Sequence, residues 1–169
     1  MRIGMFTASQ WHADEDPETV LADLRQQVRT ARDNGFSTLL LGQHVVSGPV
    51  GMFQTNPLLG RLADDAAGMR IGPGILLLSM MNPVLAAEEA ATIDWLCDGN
   101  YVLAAGLGYR PEEFQAMGVE MKDRVGRLSE GLELIKRLWT EETVSHDGRY
   151  FQLSGASAGV RPKQRPRPP

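Results

Sequence analysis

Short apolar runs alternate along the chain with longer segments in which apolar residues recur every three or four positions. The runs at residues 3–6, 38–41, 71–78 and 101–105 predict four strands. The second run is almost wholly apolar, which is typical of a strand covered on both faces. The segments between the runs have the spacing of amphipathic helices. The pattern therefore predicts consecutive strand–helix units.

Residues that favour helix ends stand at the borders of these segments. Asp16-Pro17 and Asn82-Pro83 each combine an N-cap side chain with a proline suited to the first turn, and Asn56-Pro57 opens the second helix. Asn34-Gly35 ends the first helix, because glycine readily takes the left-handed conformation. The second helix is expected to end near Gly68. The last helix is expected to bury the stripe Val125, Leu128, Leu132, Ile135 and Trp139.

Two folds are compatible with this alternation, because strands separated by helices pair in parallel through right-handed crossovers. A doubly wound nucleotide-binding sheet is expected to carry Gly-x-Gly-x-x-Gly after a strand, and the sequence has no such string. The other fold is the TIM barrel. Gly72-Pro73-Gly74 interrupts the third predicted strand, which indicates a bulge or the close approach of a ligand. This disturbance favours the barrel.

Candidate chemistry lies where a barrel enzyme would hold it, at the C-terminal ends of the strands. His44 follows the second strand and is suited to proton exchange with a ligand, although a loop histidine bonded to a carbonyl is the alternative. The segment 106–110 offers backbone N–H groups beside the cation of Arg110, which suits a phosphate. Arg124 and Arg127 are further cations near this end. Glu112-Glu113 is expected to lie on a solvated surface.

These residues resemble a known family, the luciferase-like flavin monooxygenases. Gly106-Leu107-Gly108 is followed by Arg110-Pro111-Glu112-Glu113-Phe114 and Met117-Gly118-Val119, and this part carries the resemblance most closely. The likeness is strongest over residues 82–139 and extends over the whole chain. Where many members have an acidic residue and two histidines, this chain has Gly42-Gln43-His44-Val45.

The resemblance implies a flavin at the mouth of the barrel and a cis peptide bond between Gly74 and Ile75 beside it. His44 is the implied catalytic residue. The implied cofactor-binding residues are Phe6, His44, Gly74, Ile75, Gly106, Leu107, Gly108 and Tyr109.

The resemblance also implies a division of the chain. A TIM barrel has eight strands and about 250 residues, whereas this sequence predicts four strands. We therefore expect residues 1–154 to form the first four strand–helix units of an eight-stranded barrel, with a short hairpin turning at Asp147-Gly148. Residues 155–169, rich in proline and arginine, are expected to link this half to a missing fifth strand. A polyproline ligand for a partner domain is the alternative for this segment.

Composition excludes several other functions. The formal net charge of -4 gives no broad cationic field, which argues against nucleic acid as a partner. His12, His44 and His146 have no ligand-spaced neighbours, so no metal site is expected. Cys97, the single cysteine, lies among apolar residues and is expected to be buried and inert. Without a secretion signal or an apolar run of membrane-spanning length, the expected location is the cytoplasm.

The expected function is therefore that of a flavin-dependent oxidoreductase. The resemblance implies monooxygenation of a small organic substrate by reduced FMN and oxygen, with a flavin reductase as a partner and a homodimer as the assembly. Hydride transfer by a deazaflavin coenzyme is an alternative within the same family. A non-catalytic flavin-binding protein or a half-barrel assembly module is the alternative from another class. We expect the 169-residue chain alone to have little or no activity.

Overall fold

A computed structural model describes residues 1–7 and 9–169. Its main feature is a parallel sheet with strands in the order β1-β3-β5-β6. Two short antiparallel pairs, β2 with β4 and β7 with β8, lie outside this sheet. The strands are β1 (Gly4–Thr7), β2 (Gln10–Trp11), β3 (Thr38–Leu41), β4 (Gly51–Met52), β5 (Arg70–Leu76), β6 (Ala104–Ala105), β7 (Val144–Asp147) and β8 (Gln152–Ala156).

The order of the parallel strands decides between the two predicted folds. In the parallel sheet β3 pairs with β1, β5 pairs with β3 and β6 pairs with β5, so every crossover steps in the same direction. A doubly wound sheet reverses its order at a switch point, whereas a TIM barrel does not. The barrel-type α/β fold is therefore confirmed.

Helices connect the strands, mostly at the predicted borders. The helices are α1 (Pro17–Asp33), α2 (Thr55–Leu62), α3 (Pro83–Leu96), α4 (Pro111–Ala116) and α5 (Arg124–Thr140), with 3-10 turns at Leu78–Met80 and Met121–Asp123. The Asp16 carboxylate accepts a hydrogen bond from the Thr19 N–H at 2.9 Å, and the Asn82 side chain accepts one from the Val84 N–H at 2.9 Å. Both predicted N-caps are thus confirmed. The second helix is shorter than expected, because turns replace it after Leu62. Among the described residues, no helix is both long and apolar enough to cross a membrane.

The third and fourth strands differ from the sequence prediction. β5 ends at Leu76, because a 3-10 turn begins at Leu78. The fourth run pairs continuously only at Ala104–Ala105, with an isolated bridge between Ile71 and Tyr101. A register shift lies within the pairing of β5 with β6, between the Gly74–Ala104 and Leu76–Ala105 pairs. The expected bulge is therefore present, and it shortens the regular pairing of β6.

The sheet has one covered face and one open face. Leu39, Leu41 and Ile71 are fully buried among apolar residues of the helices. Phe6 and Ile75 are exposed, and β3 alternates between half-buried and buried positions. The expectation that β3 is covered on both faces is therefore wrong for the described residues, which bury one face of the strand and cover the other only in part.

The buried face of α5 is also rotated from the predicted one. Ile135 and Trp139 are buried as expected, but Val125 is 58 % exposed and Leu128 and Leu132 are only half-buried. The fully packed positions are Gly131, Leu134, Ile135, Leu138 and Trp139. The reason is that α5 packs on α3 and on the 3-10 turn after β5. The side that faces them includes Leu134 and Leu138, which lie next to the predicted stripe and not within it. Cys97 is buried as predicted, and burial raises the pKa of its thiol.

Glu130 on α5 holds the predicted hairpin of β7 and β8. Its carboxylate accepts hydrogen bonds from the Phe151 N–H at 2.8 Å, the Tyr150 N–H at 3.2 Å and His146 Nε2 at 3.1 Å. Burial opposes its ionisation, but these hydrogen bonds outweigh burial and hold the pKa of Glu130 below its ordinary value of 4.5.

Glu130→Gln is therefore expected to lower the free energy of unfolding by about 1–2 kcal/mol at neutral pH, because a charged acceptor is lost. A depressed folded-state pKa contributes stability above the unfolded value and loses it below. The difference between wild type and variant should thus be full above pH 4.5 and shrink as the pH falls further. Urea denaturation at several pH values measures this. An unchanged difference down to strongly acidic pH would contradict the assignment.

Candidate functional site

The C-terminal edge of the parallel sheet brings together most of the predicted site residues. His44 lies three residues after the end of β3, and the segment Gly106 to Arg110 directly follows β6. The rings of His44 and Tyr109 meet edge to face with centroids 6.1 Å apart. Parallel strands end at the same edge, so residues far apart in sequence meet there.

His44 is held by a carboxylate of α4, that of Glu113. Its Nδ1 lies 2.8 Å from Oε1 of Glu113, and the Val45 N–H donates to the same oxygen at 3.1 Å. The Glu113 side chain has no exposed surface, whereas that of His44 is 25 % exposed. Glu113 therefore lies behind the imidazole, and the ring faces the edge of the site.

The expectation of a solvated Glu112-Glu113 pair is wrong for Glu113 and right for Glu112. Pro111 opens α4, so Glu113 and Phe114 turn inward together and are buried, while Glu112 stays exposed. Sequence reasoning missed Glu113 because a six-residue helix is too short for a clear periodic pattern. The available signal was Pro111, which marks the first turn of a helix rather than a loop.

The loop 106–110 is less open than predicted. The Gly106 N–H donates to the Leu76 carbonyl at 2.9 Å, so it is not available to a ligand. Arg110 pairs with Glu112, with Nε 2.7 Å from Oε1. The backbone N–H of Glu112 and then this guanidinium hold the pKa of Glu112 below its usual range. The N–H groups of residues 107–109 have no acceptor within the described part of the chain.

Hydrogen bonds also join the strand ends to one another. The Leu77 N–H donates to the side-chain oxygen of Gln43 at 2.7 Å, and the Ser79 hydroxyl donates to the Leu107 carbonyl at 2.7 Å. Arg127 donates from Nε to the Ser79 carbonyl at 2.6 Å. Arg127 therefore fixes the loop after β5. Arg124 likewise donates to a carbonyl of its own turn, that of Met121.

Exposed apolar side chains lie near His44, whose ring contacts that of Tyr109, and on the open face of the sheet. Phe6 is 63 % exposed, Ile75 is 39 % exposed and Tyr109 is 71 % exposed. The Gly74–Ile75 peptide bond is cis, as the resemblance implied. Neighbouring side chains crowd two glycines here: a Cβ on Gly74 would lie 3.0 Å from the Cβ of Leu40 and 3.4 Å from the Phe6 ring, and a Cβ on Gly106 would overlap the end of Ile75. Large exposed apolar groups gathered in this way indicate a binding surface.

A sequence profile described as luciferase-like monooxygenase matches residues 1–169. The chain belongs to this family. It is 33 % identical over 111 residues to the F420-dependent glucose-6-phosphate dehydrogenase of Segniliparus rotundus, a match that covers 63 % of this chain and 33 % of that protein.

Solved structures show the same fold. A monooxygenase from Streptomyces bottropensis matches with a TM-score of 0.90 and 23 % identity, covering 99 % of this chain and 52 % of its own. The oxygenating constituent of 3,6-diketocamphane monooxygenase from Pseudomonas putida, in complex with FMN, matches with a TM-score of 0.81 and 18 % identity, covering 90 % and 44 %. The chain thus spans about half the length of the relatives it matches.

Proposed function

We propose that this luciferase-like chain belongs to a flavin-dependent oxidoreductase that monooxygenates a small organic substrate with reduced FMN and oxygen. Residues 1–154 supply the first four strand–helix units of its barrel, and residues 155–169 lead toward a fifth strand. The observation that carries the proposal is the apolar surface of Phe6, Ile75 and Tyr109 beside a histidine held by a buried carboxylate.

The residues present fit a flavin. A flavin has a flat, largely apolar ring system, and the exposed side chains of Phe6, Ile75 and Tyr109 offer it apolar surface. Polar groups border this surface, namely His44 and the N–H groups of residues 107–109. We propose that Phe6, Gly74, Ile75 and Gly106 contact the ring, and that Leu107, Gly108 and Tyr109 supply backbone donors.

When bound, the flavin would supply the two-electron redox chemistry. The chain's own residues would position the ring, exclude water from one of its faces and move a proton. His44 is our candidate for the proton transfer, because an imidazole can both accept and donate a proton and its Nδ1 is already held by Glu113. That arrangement leaves Nε2 to face the ligand.

A deazaflavin coenzyme is the second candidate, favoured by the relative named as F420-dependent. In that case the site would transfer a hydride without oxygen. We further propose a cytoplasmic homodimer that receives reduced flavin from a separate reductase. A non-catalytic flavin-binding protein is the outcome expected if flavin binds without turnover.

Flavin titration tests this proposal. We expect the chain to quench the fluorescence of FMN or of coenzyme F420 with saturable binding, and the ligand that binds more tightly identifies the cofactor. His44→Ala is expected to raise Kd about tenfold, the equivalent of one lost hydrogen bond. His12→Ala is the matched control, because His12 is exposed and lies outside this site. No binding of either flavin would show that these strands alone do not form the site.

A further inference from the structure

We infer that Glu113 is a positioning residue that fixes the tautomer and orientation of His44. The inference rests on the proposed function, because it assigns a partner to the histidine proposed for proton transfer. Glu113 is separated from His44 by 69 residues of sequence, and the two side chains meet only because β3 and β6 end at the same edge of the sheet.

The hydrogen bonds define which ring nitrogen carries the hydrogen. A backbone N–H can only donate, so Oε1 of Glu113 must accept from Val45. Both oxygens of an ionised carboxylate only accept, so with Glu113 ionised the short contact to Nδ1 is one in which Nδ1 donates. His44 is therefore held with hydrogen on Nδ1 and, when neutral, with a free lone pair on Nε2. The hydrogen bond made by one ring nitrogen sets the role of the other.

The same carboxylate fixes the loop as well as the ring. Its two donors come from adjacent residues, His44 and Val45, so the backbone and the imidazole are held at one point. Gln54 holds the other side, where its side-chain nitrogen donates to the His44 carbonyl at 3.1 Å. With both backbone and ring fixed, the imidazole keeps a defined direction at the edge of the site.

The second oxygen of Glu113 indicates a role beyond structure. Oε2 is buried and has no hydrogen-bond partner within the described residues, and such a group is costly to keep. Arg110 lies 3.8 Å from Oε1 and partly compensates the negative charge. A buried negative charge behind an imidazole stabilises the imidazolium that forms when Nε2 accepts a proton. A neutral side chain would hold the loop without providing this charge.

The tautomer of His44 is directly measurable by long-range nitrogen–proton NMR of the 169-residue chain labelled at histidine. There are three histidines, and His12→Gln and His146→Gln assign the remaining signals by elimination. We expect neutral His44 to show a protonated Nδ1 and an unprotonated Nε2, the reverse of the form that free histidine favours. A protonated Nε2 in the wild type would overturn the inference without any variant.

Three variants test whether an acceptor at position 113 sets the tautomer of His44. Glu113→Ala should lose the Nδ1–H signature, whereas Glu113→Gln should retain it, because the amide oxygen still accepts from Val45 and Nδ1. Glu112→Ala is the matched control and should leave the His44 signals unchanged, because Glu112 is exposed and pairs with Arg110. Retention of the signature in Glu113→Ala would refute the positioning role. Flavin titration of the same samples reports independently on the proposed function, so failure of one is distinguishable from failure of the other.

Discussion

Replacing Gly72 by alanine is expected to lower the free energy of unfolding by about 3 kcal/mol or more, or to prevent folding. A Cβ at this position would overlap the carbonyl oxygen of Val102 and lie 3.1 Å from its carbonyl carbon. Both are backbone atoms, which cannot rotate away as a side chain would. The Val102 Cγ1 atom, at 2.9 Å, closes the remaining direction.

Moving Val102 would break the pairing around it. The Ile71 N–H donates to the Asn100 carbonyl at 2.9 Å, and the Val102 N–H donates to the Ile71 carbonyl at 2.9 Å. These two bonds join β5 to the strand that leads into the loop 106–110. A shift here would therefore also displace the site.

Chemical denaturation followed by circular dichroism measures this effect. Gly60→Ala in α2 is the matched control, because its Cβ would meet only the end of Leu96 at the ordinary contact distance of 3.5 Å. Alanine also has the higher helix propensity, so this variant should be neutral or slightly stabilising. Stability of Gly72→Ala equal to that of Gly60→Ala would show that β5 and Val102 are not in close contact.

The sequence predicted that Gly72-Pro73-Gly74 interrupts the third strand. It did not show which of these residues is required by the fold and which by the site. A bulge or an approaching ligand was expected, and the register shift confirms the bulge. Gly72 is required by the backbone of the neighbouring strand rather than by a ligand, whereas Gly74 lies on the open face beside Phe6. Strand pairing partners are far apart in sequence, so local pattern cannot distinguish these two causes.

The local sequence predicted the helix starts and the strand boundaries well where they depend on residues close together in the chain. Asp16 and Asn82 cap the helices as expected, and the boundaries of β3 are those of the apolar run at 38–41. Side-chain partners were less accessible to sequence reasoning. The pairing of Glu113 with His44 depends on how two loops meet, and α5 packs along a face that its apolar stripe does not reveal.

The composition of the C-terminal segment left two interpretations, a link toward a fifth strand and a ligand for a partner domain. Its prolines and arginines are compatible with an extended ligand for another protein, yet it lies against α3. The Trp95 side chain donates to the Arg161 carbonyl at 2.7 Å, and the Leu103 N–H donates to the Pro169 carbonyl at 3.1 Å. Asp94 makes the main polar contact. It is fully buried, and it accepts from the N–H and the side chain of Gln164 at 2.9 and 2.7 Å and from the Tyr101 N–H at 3.3 Å.

Asp94→Ala is therefore expected to lower the free energy of unfolding by about 3 kcal/mol, because it leaves several partly buried donors without an acceptor. It should also release residues 161–169, which trypsin would then cleave after Lys163, because proline follows each arginine of this segment. Urea denaturation and limited proteolysis measure the two effects. Asp98→Asn is the matched control: Asp98 is exposed and pairs with Lys163, so its loss should change stability by less than about 1 kcal/mol. If Asp94→Ala freed the segment without loss of stability, the segment would be an appendage available to a partner. If release of the segment came with a loss of stability, the segment would be part of the fold, and its contacts would hold the chain beside β6.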